Sequence, residues 1–372
     1  DYSFPCSLTW PMADFLPFDH PLNAGRIGVV AKRYSNLIIQ KADVILVLGS
    51  RLDNIVTAYN SEKFGRNAEI FAVDVDQSEL QKLPSKYHCI NSDLADFIPI
   101  LNNRLSAQTS KRTFTDWLTH ISQLRAEYGR EELNLIAQDA TAISVYEVVD
   151  SLSEIFEGGE TIVTGSSGLA VEVFHTHFRN KKDQKLSLTT GLGAMGYGLP
   201  ALLGVLAAGA KKAYLFESDG SMMMNIQELQ SIKTLGVNAT IFIMNNNGYA
   251  SIRSTQTNYF QGRYVGTGPA SGLEIPDIRK VADCFGFNYL CATSKGDLND
   301  VLTRAVKAEE PTICEVVLRE DEVLFPKCSV VRTNDNKFLS APLEDMSPLL
   351  PIETLQDTMG EQIDPVSLEL RK

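Results

Sequence analysis

The chain has 372 residues, and its 44% hydrophobic content is enough to bury two separate cores. Its formal net charge of -12 argues against nucleic acid or an anionic membrane as a partner. No apolar run approaches the length of a membrane span, and the first residues do not resemble a signal peptide. We therefore expect a cytoplasmic protein whose six cysteines are buried free thiols.

Residues 1–110 form the first predicted domain, in which helices alternate with short apolar strands. Helices are predicted at 29–40 and 94–105, and strands at 44–48 and 69–75. Strands that are buried on both faces and separated by helices indicate a parallel sheet.

A charged helical connector is predicted for residues 111–142. One face of its helix carries apolar side chains, namely Trp117, Leu118, Ile121 and Leu124. That spacing is typical of a helix with one buried face.

Residues 143–325 form the second predicted domain. Its predicted helices are 144–156, 168–178, 198–209, 222–235, 276–285 and 296–308, and its predicted strands are 161–164, 213–216, 239–244, 288–291 and 312–318. The alternation predicts a second doubly wound parallel sheet, so the fold class is α/β with two such domains. The tail, 326–372, has no evident sheet pattern and is expected to be irregular and to wrap the surface.

Oxygen-bearing side chains follow two neighbouring strands of the second domain. The strand at 213–216 leads into Asp219-Gly220-Ser221, and the strand at 239–244 leads into Asn246-Asn247-Gly248. Because the carboxyl ends of parallel neighbours lie side by side, we expect Asp219 and Asn246 to be adjacent. Ser221 opens the predicted helix between them, where phosphate would be attracted. The set predicts a Mg²⁺–diphosphate site, although either segment alone would suit an ordinary polar turn.

Two glycine-rich segments are further candidates for ligand contact. Ser166 and Ser167 lie between a strand and a helix, where they could hold a terminal phosphate or simply cap the helix. Gly191 and Gly193 would let the backbone approach a ligand closely, but would also suit helix packing.

Together these segments resemble thiamine diphosphate enzymes of the acetolactate synthase type. The strand–Asp-Gly-Ser–helix–strand–Asn-Asn order is similar to the signature of that fold, and residues 190–200 match the stretch before it. Other matching segments are Asn225-Ile226-Gln227-Glu228-Leu229, Gly262-Arg263-Tyr264, 19–22, 42–51 and 73–76. The resemblance extends in consistent order from about residue 4 to about residue 326.

The resemblance implies thiamine diphosphate and Mg²⁺ as cofactors. The implied metal ligands are Asp219, Asn246 and the backbone oxygen of Gly248. The implied cofactor contacts are Ser166, Ser167, Gly193, Met195, Gly220, Ser221, Asn246 and Tyr249. Met195 aligns with the bulky residue that holds the cofactor bent, although its periodicity alone would suit a core methionine.

The resemblance also implies what this sequence does not contain. It begins partway into the family's middle domain, and no segment matches the pyrimidine-binding domain with its activating glutamate. We therefore expect a C-terminal piece of a longer homodimeric or tetrameric enzyme, inactive by itself, whose catalytic residue in this chain is unknown.

FAD is not expected in the first domain. Acetolactate synthases bind it there with a Gly-x-Arg segment and a second arginine four residues later. Gly49-Ser50-Arg51 keeps the first part, but Ile55 takes the place of the second arginine.

The implied reaction removes CO₂ from a 2-oxo acid such as pyruvate and joins the remaining two-carbon unit to a carbonyl acceptor. Ser251 and Thr255 replace the methionine and tryptophan of the family's acceptor pocket, which predicts a bulkier and more polar acceptor than 2-oxobutyrate. Residues 247–252 and 342–346 are more similar to relatives in sugar and polysaccharide pathways. Simple decarboxylation, C–C hydrolysis and a non-catalytic binding module remain alternatives.

His175 and His177 are not expected to bind a metal. Residues two apart do not share a helix face, and no carboxylate pattern accompanies them. We expect them at a solvent-facing helix end.

Overall fold

The computed structural model describes residues 2–107, 114–136, 142–166, 168–332 and 338–371. In chain order its strands are β1 (Cys6–Leu8), β2 (Asn23–Arg26), β3 (Val44–Leu48), β4 (Glu69–Asp74), β5 (His88–Asn91), β6 (Thr161–Thr164), β7 (Lys185–Ser187), β8 (Lys212–Ser218), β9 (Asn238–Asn245), β10 (Asn288–Ala292), β11 (Thr312–Val317), β12 (Val330–Arg332) and β13 (Phe338–Ser340). Its α-helices are α1 (Arg33–Gln40), α2 (Gln77–Leu80), α3 (Leu94–Ser106), α4 (Thr115–Tyr128), α5 (Glu131–Ile136), α6 (Val145–Ile155), α7 (Leu169–His177), α8 (Gly198–Ala207), α9 (Asp219–Met222), α10 (Glu228–Leu235), α11 (Ala250–Phe260), α12 (Ile278–Phe285), α13 (Lys295–Lys307), α14 (Ile352–Met359) and α15 (Pro365–Glu369). No helix of these described stretches is long and apolar enough to cross a membrane.

The described residues form two compact units. Unit 1 takes them from Asp1–Thr9, His20–Glu131 and Phe325–Lys372, and unit 2 takes them from Trp10–Asp19 and Glu132–Leu324. The boundaries expected at 110, 142 and 325 remain predictions, and parts of the expected connector (108–113 and 137–141) lie outside the described residues.

Unit 2 is built on a parallel sheet that, within the described residues, has six strands in the order β10-β11-β9-β8-β6-β7. Helices α8, α10 and α12 pack together in one layer, while α6, α7 and α13 form another group. The predicted doubly wound α/β fold is therefore confirmed. β6 lies beside β8 although β7 separates them in sequence, and such a switch in strand order is where these sheets bind ligands.

The register of this sheet places three strand ends together. Thr164 of β6 pairs with Phe216 of β8, and Ser218 of β8 pairs with Met244 of β9. The segments that follow these strands therefore leave the sheet at the same edge. Those segments contain most of the predicted site residues.

Unit 1 contains the parallel sheet β3-β4-β5, whose first two strands are close to their predicted bounds. Strands β1 and β2, which were not predicted, form a separate parallel pair. Helix α1 begins at Arg33 rather than at 29 and is buried along its length, and α4 packs with it through Ile121 and Leu124, as its predicted apolar face requires.

The tail contains more structure than the sequence predicted. β12 and β13 form an antiparallel pair, and α14 and α15 follow. Glu344 and Asp345 are fully buried in unit 1. Glu344 lies 2.7 Å from Arg66 and Asp345 lies 2.6 Å from Arg371, so these carboxylates are paired rather than solvated. This part of the tail is core, not a surface wrapping.

The prediction that His175 and His177 lie at a solvent-facing helix end is wrong. Their exposures are 0% and 4%, and every other residue of α7 except Glu172 is buried as well. His175 Nε2 lies 2.7 Å from Thr164 Oγ1, and its ring stacks on Trp10 at 5.7 Å between centroids. The end of this helix is therefore covered by protein instead of water.

The cysteine prediction is only partly correct. All six are free thiols, but only Cys314 is fully buried, while Cys89 and Cys284 are exposed. Cys89 lies within β5 and Cys284 near the end of α12, so an apolar neighbourhood in sequence did not guarantee that a thiol is buried.

Candidate functional site

Asp219 is the first residue after β8 and has no solvent exposure. Its Oδ2 accepts a 2.9 Å hydrogen bond from the backbone N–H of Gly248. Its Oδ1 is buried and has no hydrogen-bond partner in the described part of the chain. Burial raises the pKa of Asp219 to about 6, against the opposing effect of the Gly248 N–H. A buried carboxylate oxygen without a partner is unfavourable unless a ligand compensates it.

The loop after β9 turns sharply toward Asp219. Asn245 Oδ1 accepts a 2.9 Å hydrogen bond from the N–H of Asn247, whose φ of +61° is unusual for a residue with a side chain. Gly248 has φ +127°, and a Cβ there would lie 2.4 Å from the carbonyl oxygen of Thr267. Only glycine fits this position. Asn246, between these residues, is buried.

Tyr249 packs directly on the turn that carries Asp219. A Cβ at Gly220 would lie 2.4 Å from the Tyr249 ring, so the absence of a side chain lets the ring approach the backbone. The structure thus brings together four residues of the predicted set from two strand ends: Asp219, Gly220, Gly248 and Tyr249.

The helix expected to begin near Ser221 is interrupted. Residues 222–235 are not one helix, because α9 has four residues and α10 starts only at Glu228 after a 3₁₀ turn. The prediction of a long helix is therefore wrong. Phosphate binding by Ser221 was expected because of the N-terminus of that helix, so the structure does not support this reason for it. Instead, Ser221 Oγ accepts a 3.0 Å hydrogen bond from the N–H of Gly196.

The glycine-rich segment lies against this turn. Gly196 has φ +83°, its carbonyl accepts a 2.9 Å hydrogen bond from Asn225 Nδ2, and a Cβ on it would lie 2.7 Å from that of Met224. Gly193 also has a left-handed backbone conformation, with φ +61°. Met195 is 36% exposed, which does not support its alternative interpretation as a core methionine.

Ser166, after β6, has a different arrangement from the one expected of an N-cap. Ser166 donates its hydroxyl to the carbonyl of Ala194, and Ser167 lies outside the described residues. Gly168, with φ +105°, precedes α7 and supplies no side-chain cap. The Ser166 contact ties this loop to the glycine-rich segment.

Glu217 was not singled out from the sequence. It is fully buried at the end of β8, and burial raises its pKa to about 7. Its two oxygens occupy the spaces next to two glycines: a Cβ at Gly165 would lie 2.4 Å from Oε1, and one at Gly198 would lie 2.3 Å from Oε2. A charged residue within an apolar strand was the available signal.

Arg253 was also missed, together with its helix α11. This helix is rich in Ser, Thr and Asn, which have weak helix propensity, so its pattern did not predict one. Both terminal nitrogens of Arg253 donate to oxygens of neighbouring loops, including the carbonyl of Asn246 at 2.6 Å.

The donor set suits a magnesium ion bound together with phosphate. No cluster of three or more His, Cys, Asp or Glu side chains able to hold a metal is present among the described residues. The residues present offer one carboxylate, one amide oxygen and one backbone carbonyl, at Asp219, Asn246 and Gly248. Mg²⁺ typically uses one or two carboxylates and takes its other ligands from substrate phosphate and water. Asp219 Oδ1, which lacks a hydrogen-bond partner in the described stretches of the chain, fits that role.

Two family descriptions match the chain. "Thiamine pyrophosphate enzyme, C-terminal TPP binding domain" matches residues 166–316, and "Thiamine pyrophosphate enzyme, central domain" matches residues 1–101. The first of these ranges contains every predicted metal and cofactor residue.

Curated relatives include acetolactate synthases. Isozyme 1 large subunit from Escherichia coli (strain K12) is 28% identical over 87% of this chain and 55% of its own length. Acetolactate synthase 2, chloroplastic, from Zea mays is 27% identical over 83% of this chain and 49% of its own. The acetolactate synthase large subunit from Cyanidium caldarium is 26% identical over 85% of this chain and 53% of its own length.

The chain spans about half the length of the curated relatives that it matches. The two matched regions follow one another in the order in which the sequence resemblance placed them. The chain belongs to the thiamine pyrophosphate enzymes, carries their central and C-terminal TPP-binding domains, and is similar to acetolactate synthase large subunits.

Proposed function

We propose that this chain supplies the metal–diphosphate site of an enzyme that decarboxylates a 2-oxo acid such as pyruvate and transfers the two-carbon unit to a carbonyl acceptor. The observation that carries the proposal is the buried Oδ1 of Asp219, next to the Asn246–Gly248 loop, which has no hydrogen-bond partner among the residues that the structure describes. When bound, thiamine diphosphate supplies the chemistry that removes CO₂ and passes on the remaining unit.

The residues of this chain hold and orient the cofactor. Asp219, Asn246 and the carbonyl of Gly248 would coordinate Mg²⁺, which in turn would hold the diphosphate. Gly193, Gly220, Ser221 and Tyr249 would lie along the cofactor, as would Met195, whose exposed side chain is available for such a contact. Ser166 and Ser167 would contribute near the terminal phosphate.

A polar acceptor is supported by Ser251. Its hydroxyl oxygen is buried and finds no hydrogen-bond partner among the described residues. Thr255 differs, because its hydroxyl donates to the carbonyl of Ser251 at 3.1 Å. An acceptor that pairs with Ser251 would be favoured over one that leaves it unpaired. We therefore propose a keto-sugar or similar polar acceptor in preference to 2-oxobutyrate.

The proposal includes assembly with a further subunit in the cytoplasm, as a homodimer or tetramer. Unit 2 exposes large apolar side chains in the glycine-rich segment and around the end of α11: Leu192, Tyr259, Phe260 and Val265. Leu192 is 94% exposed. Exposed apolar surface of this kind is typical of a protein–protein interface.

A competition assay tests the acceptor. The protein carrying this chain is given pyruvate, Mg²⁺ and thiamine diphosphate with equal amounts of 2-oxobutyrate and a polar ketone such as a keto-sugar. We expect CO₂ release and preferential formation of the polar product. Selective formation of acetohydroxybutyrate would instead indicate ordinary acetolactate synthase activity, and CO₂ release with free aldehyde would indicate simple decarboxylation.

A further inference from the structure

We propose that Arg253 is a positioning residue that fixes one peptide plane of the metal-binding loop so that it faces Asp219. The inference rests on the proposed function of that loop. Arg253 lies in the first turn of α11, six residues after Asn247, and its guanidinium is partly buried.

The guanidinium donates hydrogen bonds to backbone oxygens of three separate segments. Nη1 donates to the carbonyl oxygen of Thr267 at 2.7 Å and to that of Asn247 at 3.3 Å. Nη2 donates to the carbonyl oxygen of Asn246 at 2.6 Å and to that of Glu320 at 3.2 Å, with a longer 3.5 Å contact to Asn246 Oδ1. Both nitrogens are thus used by the protein itself, so Arg253 is poorly suited to anchor a substrate carboxylate.

The contact with Asn247 determines where the next N–H points. In a trans peptide the C=O of one residue and the N–H of the next are antiparallel across a single plane. The Asn247 carbonyl faces Arg253, and the Gly248 N–H of the same plane donates to Asp219 Oδ2 at 2.9 Å. This plane is therefore held between a guanidinium on one side and a carboxylate on the other.

The same arrangement leaves Asp219 with one free oxygen. Because Oδ2 is occupied by the Gly248 N–H, only Oδ1 remains without a hydrogen-bond partner within the described residues. If the plane rotated, the N–H would release Oδ2. The carbonyl of Gly248 belongs to the next peptide plane, whose Tyr249 N–H donates to the Thr267 carbonyl oxygen at 3.0 Å. That oxygen also accepts from Arg253, so the guanidinium supports both planes. Arg253 thereby orients two of the proposed ligands without touching the ion.

Lysine is not expected to replace Arg253. A guanidinium is a planar fork with donors on two terminal nitrogens, whereas an ammonium is a single point that cannot reach oxygens on both sides at once. Arg253→Lys therefore keeps the charge but loses the fork, and Arg253→Met removes both. Arg304→Met is the matched control, because Arg304 is exposed on α13, where it lies 3.5 Å from Asp300.

The first measurement is amide hydrogen exchange in the ligand-free 372-residue chain. Both Arg253 variants should increase exchange of the Gly248 amide by about tenfold or more, because a hydrogen bond to a charged group is removed from its peptide plane. Arg304→Met should leave it unchanged. Unchanged exchange at 247–249 in both Arg253 variants would overturn the inference, and Arg253→Lys keeps the test open if Arg253→Met does not fold.

The second measurement is calorimetric titration with thiamine diphosphate in the presence of Mg²⁺. Loss of a residue that orients metal ligands typically weakens metal affinity about 10- to 100-fold, and we expect a loss in this range that excess Mg²⁺ partly restores. Faster exchange with unchanged affinity would overturn the link to the cofactor. Asp219→Asn is titrated in parallel: if it alone binds normally, the metal site is wrong while the effect of Arg253 on the loop stands.

Discussion

Asp219 and Gly248 are joined by a 2.9 Å hydrogen bond across 29 residues of sequence. The bond connects the end of β8 to the loop after β9, and it uses Oδ2 while Oδ1 stays unpartnered in the described part of the chain. A carboxylate held in this way by a backbone N–H keeps its second oxygen in a fixed direction, which suits coordination of a cation.

Asp219→Asn should abolish Mg²⁺-dependent binding of thiamine diphosphate. The amide has nearly the same shape and can still accept from Gly248, but it removes the negative charge that a divalent cation requires. Calorimetry should show a loss of at least about 100-fold in affinity, while the melting temperature changes little. Asp300→Asn, on the exposed face of α13, is the control. Equal affinity in the two variants would contradict the metal assignment.

Gly248→Ala should disrupt the same loop by a steric route. The added Cβ would lie 2.4 Å from the carbonyl oxygen of Thr267, at a φ of +127°. We expect destabilisation of about 2–4 kcal/mol together with loss of cofactor binding. Gly236→Ala is the matched control: its φ of +66° is also left-handed, but nothing lies within 4 Å of the new Cβ. That variant should lose only about 1 kcal/mol, measured by urea unfolding, and bind normally.

Gly198→Ala and Glu217→Ala should have non-additive effects on stability. A Cβ at Gly198 would lie 2.3 Å from Glu217 Oε2, so the alanine alone should destabilise by about 1–3 kcal/mol. In the Glu217→Ala background the carboxylate clash is absent and only Leu215 Cδ1, at 2.9 Å, must still shift. A double-mutant cycle should therefore give a coupling of more than about 0.5 kcal/mol. Gly204→Ala in the same helix meets nothing within 4 Å and should be neutral or stabilising. Additive effects would show that the carboxyl group is not fixed in that space.

Glu344→Ala should destabilise unit 1 strongly. Glu344 is fully buried, lies 2.7 Å from Arg66 and accepts from Gln40 Nε2 at 3.0 Å. Removing one partner of a buried pair typically costs about 3–5 kcal/mol, because the other charge is left uncompensated. Scanning calorimetry should show a lower melting temperature, whereas Glu361→Ala at an exposed position should not. If Glu344→Ala and Glu361→Ala melted at the same temperature, the tail would not be part of the stabilising core.

The purified protein is expected to carry no flavin. Ile55 is exposed and cannot supply the second positive charge that resemblance to acetolactate synthases associates with FAD in this domain. An absorbance spectrum of the protein at known concentration checks this directly. A stoichiometric flavin band would show that anchoring does not require an arginine at that position.

The sequence predicted the strands and the polar segments that follow them better than it predicted the contacts that support those segments. β8 and β9 each contain a short apolar run that is followed by polar residues. This pattern located Asp219 and the Asn246–Gly248 loop. Glu217 lies beside two glycines from other segments, and Arg253 reaches carbonyl oxygens up to 67 residues away, which no local pattern encodes. The buried pair of Glu344 and Arg66 was missed for the same reason. Two adjacent carboxylates, Glu344 and Asp345, predict an exposed segment unless the partner of Glu344, 278 residues earlier, is known.

Unit 1 is assembled from segments on either side of unit 2 in the chain. Arg33 donates to the carbonyl of Met346, 313 residues later, and to that of Pro348. During synthesis the ribosome therefore completes Glu132–Leu324 before Met346 and Pro348 have been made, although Glu131, which lies 3.0 Å from Arg33, is already present. Unit 2, whose sheet lies within that stretch, can fold on emergence, whereas unit 1 must wait with Arg33 lacking two of its acceptors and with an open core. A chain that ends at residue 325 and has been released from the ribosome should accordingly protect the cofactor loops from protease while α1 remains susceptible.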